Sequence, residues 1–303
     1  MRLTDWLSMV PFLVLDGAMA TEMERRGYDI SDPLWSGVAL YRWPEIIRDI
    51  HLSYLRAGVD IITTASYQAT KEGFRRKGFS DAKAEELIQR SVTLAKEACR
   101  QYREETKQDR PIAVAASVGP YGAFLADGSE YRGHYGVSRD TLASFHEEKI
   151  DTLLAASPDF LAFETFPSLV EAEVVGDLLA KRTGVEAWIS FSCQDGHRTC
   201  GGDAIRDCVA AMESCPSVVA IGVNCTSPVY VESLVQDIRK ETEKPIVVYP
   251  NDGEIFDIEK RVWTGSAVDF AVYGKRWYEA GARILGGCCR TGPKQMEALV
   301  RMR

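Results

Sequence analysis

The chain has 303 residues, 46% of them hydrophobic and 26% charged, and a formal net charge of −8 at pH 7. That length can bury a large core, the composition is that of an ordinary soluble globular protein, and the acidic balance excludes the basic footprint of a nucleic-acid binder. No apolar run approaches the roughly 18 residues that a membrane-spanning helix needs, so no membrane partner is expected.

The N-terminal stretch MRLTDWLSMVPFLVLDG does not read as a signal peptide, because Asp5 and Pro11 break its apolar run and it leads directly into a strand. The cytoplasm is therefore the expected location. From there a short apolar, β-branched run recurs, each time ending in a small or reactive residue and followed by a helical pattern. Eight such runs are read: FLVLDGA (12–18), VDIITTAS (59–66), PIAVAASV (111–118), FLAFETF (160–166), AWISFSC (187–193), VVAIGVNC (218–225), PIVVYPN (245–251) and ARILGGCC (282–289). Near-continuous apolar runs suit strands buried on both faces of a parallel sheet. Amphipathic spacing predicts helices over 44–57, 81–102, 139–156, 169–181, 204–213, 230–241 and 269–280, with a last helix opening at Pro293. Nothing marks a domain boundary. Eight strand–helix repeats predict a single-domain (β/α)8 TIM barrel over residues 1–303. The competing doubly wound sheet would carry a Gly-rich dinucleotide turn after its first strand, and Asp16-Gly17-Ala18-Met19-Ala20 lacks that spacing.

In such a barrel the active site forms at the C-terminal ends of the strands. Those ends read Asp16-Gly17, Ser66-Tyr67, Ser117 to Pro120, Glu164-Thr165, Cys193, Asn224-Cys225, Tyr249 to Asn251 and Gly287-Cys288-Cys289. Ser66 and Asn224 enter the substrate-contact candidates on that position alone. The eight cysteines fall mostly in the second half of the chain, unlike the framework of a small disulfide-rich secreted domain. Cys225 closes the sixth strand and the adjacent Cys288 and Cys289 close the eighth. Three thiolates meeting there would suit zinc and leave a fourth position open. Neighbouring residues of an extended strand point to opposite faces, so this pair needs a turn just past the strand end, with Gly286, Gly287 and Gly292 to allow it. From spacing alone, metal binding and simple burial stand about level for these residues; burial is the expectation for Cys99, Cys193, Cys200, Cys208 and Cys215. Asp16 and Glu164 are rim carboxylates that could hold an ammonium group or act as bases. Asp16 could instead cap a helix, and Glu164, ending an apolar strand, requires a cation or a charged ligand nearby. None of the four histidines reads as a ligand.

The motifs LDGAMATE (15–22), TASYQAT (64–70), SVGPYGA (117–123), ADGSEYRG (126–133), FETFP (163–167), GVNC (222–225), VVYPN (247–251) and GGCCRTGP (286–293) give the chain an end-to-end resemblance to the homocysteine S-methyltransferase family. GVNC followed by a late GGCC is its most specific part. The pattern is most similar to the bacterial type that uses S-methylmethionine. The resemblance implies zinc (Zn2+) bound by Cys225, Cys288 and Cys289, and homocysteine held through Asp16, Gly17, Glu164 and Thr165. It implies methyl transfer from S-methylmethionine or S-adenosylmethionine to the homocysteine thiol, forming methionine. Trp35, Tyr67, Tyr121 and Tyr249 are the aromatic candidates for the sulfonium. Two departures from relatives are noted: Asp252 where a serine is common, and Phe163 in place of a cysteine. Two other classes stay open on sequence: a barrel hydrolase or lyase using Asp16 and Glu164 as an acid/base pair, and a non-catalytic zinc- or thiol-binding protein. The sequence sets no oligomeric state.

Overall fold

Strand and helix alternate as the apolar runs anticipate in the computed structural model, which describes residues 2–257 and 262–303. The strands are β1 (Leu13–Val14), β2 (Ile61–Thr63), β3 (Ala113–Val118), β4 (Phe160–Phe166), β5 (Ala187–Phe191), β6 (Val218–Asn224), β7 (Ile246–Tyr249), a hairpin of β8 (Ile255–Asp257) and β9 (Val262–Thr264), and β10 (Ala282–Leu285). All except the hairpin pair in parallel in the order β1-β10-β7-β6-β5-β4-β3-β2. A parallel bridge from Leu15 to Ile61 joins β1 back to β2, and the Asp16 N–H donates to the Ile61 carbonyl at 3.0 Å. The result is a nearly closed (β/α)8 barrel.

Helices fill the intervals, among them Pro44–Arg56, Asp81–Thr106, Arg139–Leu154, Leu169–Ala180, Ile205–Glu213, Pro228–Arg239, Phe270–Ala280 and Pro293–Val300. Their starts follow local chemistry. Ser80, Ser138 and Asp269 accept backbone N–H groups at N-caps, and proline opens the helices at 44, 228 and 293. The helix expected from Tyr230 thus begins two residues earlier, at Pro228.

Two hydrophobic clusters divide along the period-2 alternation of the strands. The larger lies between the sheet and its helices. The smaller takes Leu13, Leu15, Ile61, Ala113, Ala115, Phe160, Ala162, Trp188, Ala220, Val247, Tyr249 and Ile284, the opposite set of strand positions, together with Leu3 and Trp6 of the N-terminal helix Leu3–Leu7. It is the barrel interior, plugged at the N-terminal mouth by that helix. Continuing the same alternation upward reaches Ser117, Glu164, Ser190, Asn224 and Cys288. Each fully buried large apolar side chain below contributes about 1.5–3 kcal/mol, which lets the fold carry a polar upper layer that would not sustain itself. Among the described residues no helix is long and apolar enough to cross a membrane.

Candidate metal and substrate site

Three sulfurs meet at the top of the barrel because β7 sits between β6 and β10. Cys225 follows β6 with its N–H on the Tyr249 carbonyl (3.3 Å), and Cys288 follows β10 with its N–H on the Pro250 carbonyl (2.7 Å). The Cys225 Sγ lies 2.8 Å from Cys288 Sγ and 3.5 Å from Cys289 Sγ, and all three sulfurs fall within 4.8 Å of one another. A tetrahedral zinc with Zn–S near 2.3 Å spaces its sulfurs by roughly 3.8 Å, so the triad has the composition and size for that ion. The shortest separation is well beyond a disulfide bond of about 2.05 Å, and all eight cysteines are free thiols. Hydrogen bonding with Cys288 and then Cys289 draws the Cys225 thiol well below its ordinary value, while those two are pushed up. Sulfurs this close do not all ionise without a compensating cation.

The Cys288-Cys289 pair lies past the end of β10, as its geometry requires. The flanking glycines act differently from the expectation of backbone freedom. The left-handed position is taken by Arg290 (φ 69°), and Cys225 itself has φ 49°. Gly286 instead provides room, since a Cβ there would stand 2.7 Å from the Leu15 Cβ. The Thr291 hydroxyl donates to the Cys288 carbonyl (2.7 Å) and accepts the Ala18 N–H (3.3 Å), fastening the cysteine turn to the Asp16-Gly17 turn. Gly17 fits against that hydroxyl, which a Cβ would approach to 2.7 Å.

Asp16 is buried but caps no helix. Its carboxylate accepts the Thr63 N–H (2.8 Å) and hydroxyl (2.9 Å) at the end of β2, and the cap of the following helix Met19–Arg25 is Ala18. Burial raises the Asp16 carboxyl well above its ordinary value, with Thr63 opposing and Glu164 adding to the rise. Glu164 accepts a hydrogen bond from Ser117 Oγ and is pushed up to about 7, by burial first and with the Cys225 charge adding. The cation that its position calls for is Lys149, which the sequence reading missed. Lys149 is buried, donates to the Tyr67 carbonyl at 2.6 Å, and is lowered to about 7 by burial against the pull of Glu164.

Thr165 occupies the left-handed region (φ 65°) at an irregularity in the β4–β5 register. Asn224 holds it there, accepting the Thr165 N–H at 2.6 Å and donating to its hydroxyl at 2.8 Å. Asn224 and Ser66 are both fully buried. The Ser66 hydroxyl donates to the Ser117 carbonyl (2.7 Å), tying the turn after β2 to β3.

Of the aromatic candidates, Tyr67 lies at the site: its phenol is raised by burial, then by the Glu130 and Cys225 charges. Trp35 meets Tyr67 edge-on at 6.0 Å. Tyr121 packs among Phe124, Tyr135 and Phe145, and Tyr249 is inside the barrel with its hydroxyl on Ser190 (2.5 Å) and Trp188 (3.1 Å). The Tyr131 hydroxyl, 3.4 Å from the Cys225 Sγ, is the contact the sequence reading passed over. It lies in ADGSEYRG, so the motif carried a signal that its polar composition hid. Asp252 is buried, with one oxygen on the Glu254 N–H (2.9 Å), and organises its own turn. Phe163 packs against His146 and Phe166, away from the sulfurs.

A sequence model of the family described as homocysteine S-methyltransferase matches residues 13–302. A selenocysteine Se-methyltransferase of Brassica oleracea var. italica is 46% identical over 303 aligned residues, covering 95% of this chain and 88% of its own length. The homocysteine S-methyltransferase YbgG of Bacillus subtilis (strain 168) is 45% identical over 298, covering 97% and 95%. The crystal structure of the homocysteine methyltransferase MmuM of Escherichia coli in its metallated form is 42% identical and superposes with a TM-score of 0.91 over 99% of both chains. With a thiol triad and a carboxylate rim on a barrel matched over its whole length, the chain belongs to the homocysteine S-methyltransferase family and is a methyltransferase.

Proposed function

We propose that the protein transfers a methyl group from S-methylmethionine or S-adenosylmethionine to the thiol of L-homocysteine, with zinc held by Cys225, Cys288 and Cys289. The observation that carries this reading is the convergence of those three sulfurs within 4.8 Å at the barrel rim. When bound, zinc supplies the positive charge that keeps a fourth sulfur, that of homocysteine, as thiolate at neutral pH. Asp16 and Glu164, both held up by burial, gain most from a cation. They are suited to the homocysteine ammonium group, with Gly17 and the fixed Thr165 backbone beside it.

The thiolate electron pair forms the new carbon–sulfur bond while the methyl–sulfonium bond breaks and its pair stays on the leaving sulfur. Both products are then neutral thioethers, and the thiol proton has already gone to solvent. This step needs no side-chain base, in keeping with the histidines: His146 is engaged with Glu171, His197 with Asp237 and His134 with the Gly201 carbonyl, and His51 is buried in its helix. Eight free thiols suit a reducing cytoplasm.

Methionine formation from homocysteine with each sulfonium, with zinc quantified in the same preparation, tests the reading. About one zinc per chain and loss of both zinc and turnover in Cys288→Ala are expected. Turnover that survives in Cys288→Ala would move the chemistry to Asp16 and Glu164.

A further inference from the structure

One carboxylate at the same rim has no role in the scheme above. Glu130 belongs to the short 3-10 turn Ser129–Tyr131, whose last residue places its hydroxyl against the Cys225 sulfur. The Glu130 Oε2 is buried and has no hydrogen-bond partner among the described residues. The adjacent cation, Arg132, is directed to Asp127, donating to its carbonyl at 3.2 Å with the carboxylate at 3.8 Å. Burial, then the nearby Cys225 charge, pushes the Glu130 carboxyl up to about 7, and its own charge in turn raises the Tyr67 phenol. Glu130 therefore shares one electrostatic neighbourhood with the triad and with an aromatic ring.

The turn is held from several sides. Ser192 Oγ donates to the Glu130 carbonyl (3.2 Å), and Asp127 accepts the Ser129 N–H (2.9 Å). Gly122 lies so close beneath that a Cβ would come within 2.5 Å of the Glu130 nitrogen. On the flank, Glu171 accepts from the Tyr121 N–H (2.6 Å) and the Tyr135 hydroxyl (2.9 Å). A carboxylate oxygen fixed in a buried place without a donor is costly. Such a group is retained where a ligand completes it.

We propose that Glu130 is the counter-charge for the sulfonium centre of the methyl donor, and that it lets the site distinguish the charged donor from neutral methionine. The inference rests on the methyl-transfer reading, because transfer requires the sulfonium to approach the sulfur that gathers with the triad. A sulfonium has no N–H to donate, so an anionic oxygen beside aromatic faces is the environment that recognises it. The reaction discharges the sulfonium. Attraction to Glu130 is therefore greatest for bound donor and disappears in the product, so the residue acts on donor affinity and product release and leaves the barrier unlowered.

The test is isothermal titration of zinc-loaded wild type and Glu130→Gln with S-methylmethionine and with methionine, which differ by one methyl group and one charge. The expected result is at least a tenfold weaker Kd for S-methylmethionine in the variant, with the methionine Kd changed less than threefold. Zinc content and homocysteine affinity should be unchanged, and Glu130→Asp should recover part of the loss. Equal weakening of both ligands, no weakening, or loss of zinc would overturn the assignment. A parallel turnover assay separates the two readings: Glu130-dependent sulfonium binding without methionine formation would remove the reaction and leave the counter-charge standing.

Discussion

Asn224 grips Thr165 through both atoms of its side-chain amide, Oδ1 on the Thr165 N–H at 2.6 Å and Nδ2 on the Thr165 hydroxyl at 2.8 Å. A β-branched residue at φ 65° is strained by about 1–3 kcal/mol, and this pair of bonds offsets that cost from the next-but-one strand. Asn224 also accepts the Ser190 hydroxyl at 2.8 Å, so one buried amide links β4, β5 and β6 just below the sulfurs. Asn224→Ala should lower stability by about 2–4 kcal/mol and raise the KM for homocysteine by more than tenfold. Thermal unfolding and steady-state kinetics read the two effects. Thr165→Gly, which accepts the same backbone angle, should lose less stability than Asn224→Ala. The reverse ranking would mean that Asn224 does not hold the bend.

Glu164 predicts an acid limb. Its carboxyl stands at about 7, above the ordinary 4.5, so it takes up a proton as pH falls through neutrality and its attraction for an ammonium group is lost. The kcat/KM for homocysteine should therefore decline below pH 7. Glu164→Gln should remove the Glu164 contribution to that decline and lower kcat/KM by roughly 10- to 100-fold at pH 8, a loss of about 1.5–3 kcal/mol. An unaltered pH profile in the variant would assign the limb to another group.

Lys149 is expected to modulate the same limb. Its ammonium group lowers the Glu164 carboxyl, so Lys149→Met should shift the acid limb toward higher pH. The substitution also strips the Tyr67 carbonyl of its donor, a loss of about 1 kcal/mol, while removing a buried charge, so net stability should change little. A limb that stays in place would show that Lys149 serves only the loop.

His51 carries a separate acid sensitivity of the fold. It is fully buried, neither ring nitrogen has a hydrogen-bond partner among the described residues, and burial lowers it from 6.5 to about 3. The unfolded chain protonates near 6.5 and the folded one only near 3, so stability present above pH 6.5 is lost progressively as pH falls toward 3. His51→Leu should leave the Tm at pH 7 equal or higher and flatten the fall of Tm between pH 6.5 and 4. A fall as steep as in wild type would contradict the assignment.

The eight barrel strands were legible because each is buried on both faces and reads as a continuous apolar run. The Cys288-Cys289 pair was legible because neighbouring strand residues diverge, which forces a turn. Long-range pairing was not: nothing local in Asn224 shows that it reaches Thr165, and Asp16 has the look of a cap while bonding Thr63. Lys149 lies on a helix whose pattern suggests outward charge, yet its long stem carries the ammonium inward. Glu130 and Tyr131 sit in the most polar loop, where composition argues for solvent. The hairpin of β8 and β9 is too short to stand out as a repeat.

The central claim is that three protein thiolates hold zinc and that the homocysteine sulfur completes its shell. Zinc K-edge X-ray absorption on the purified protein, before and after L-homocysteine, addresses it directly. The account predicts about three sulfur neighbours near 2.3 Å, rising to about four with homocysteine. A sulfur shell that homocysteine leaves unchanged, or full methionine formation by protein without bound metal, would contradict it.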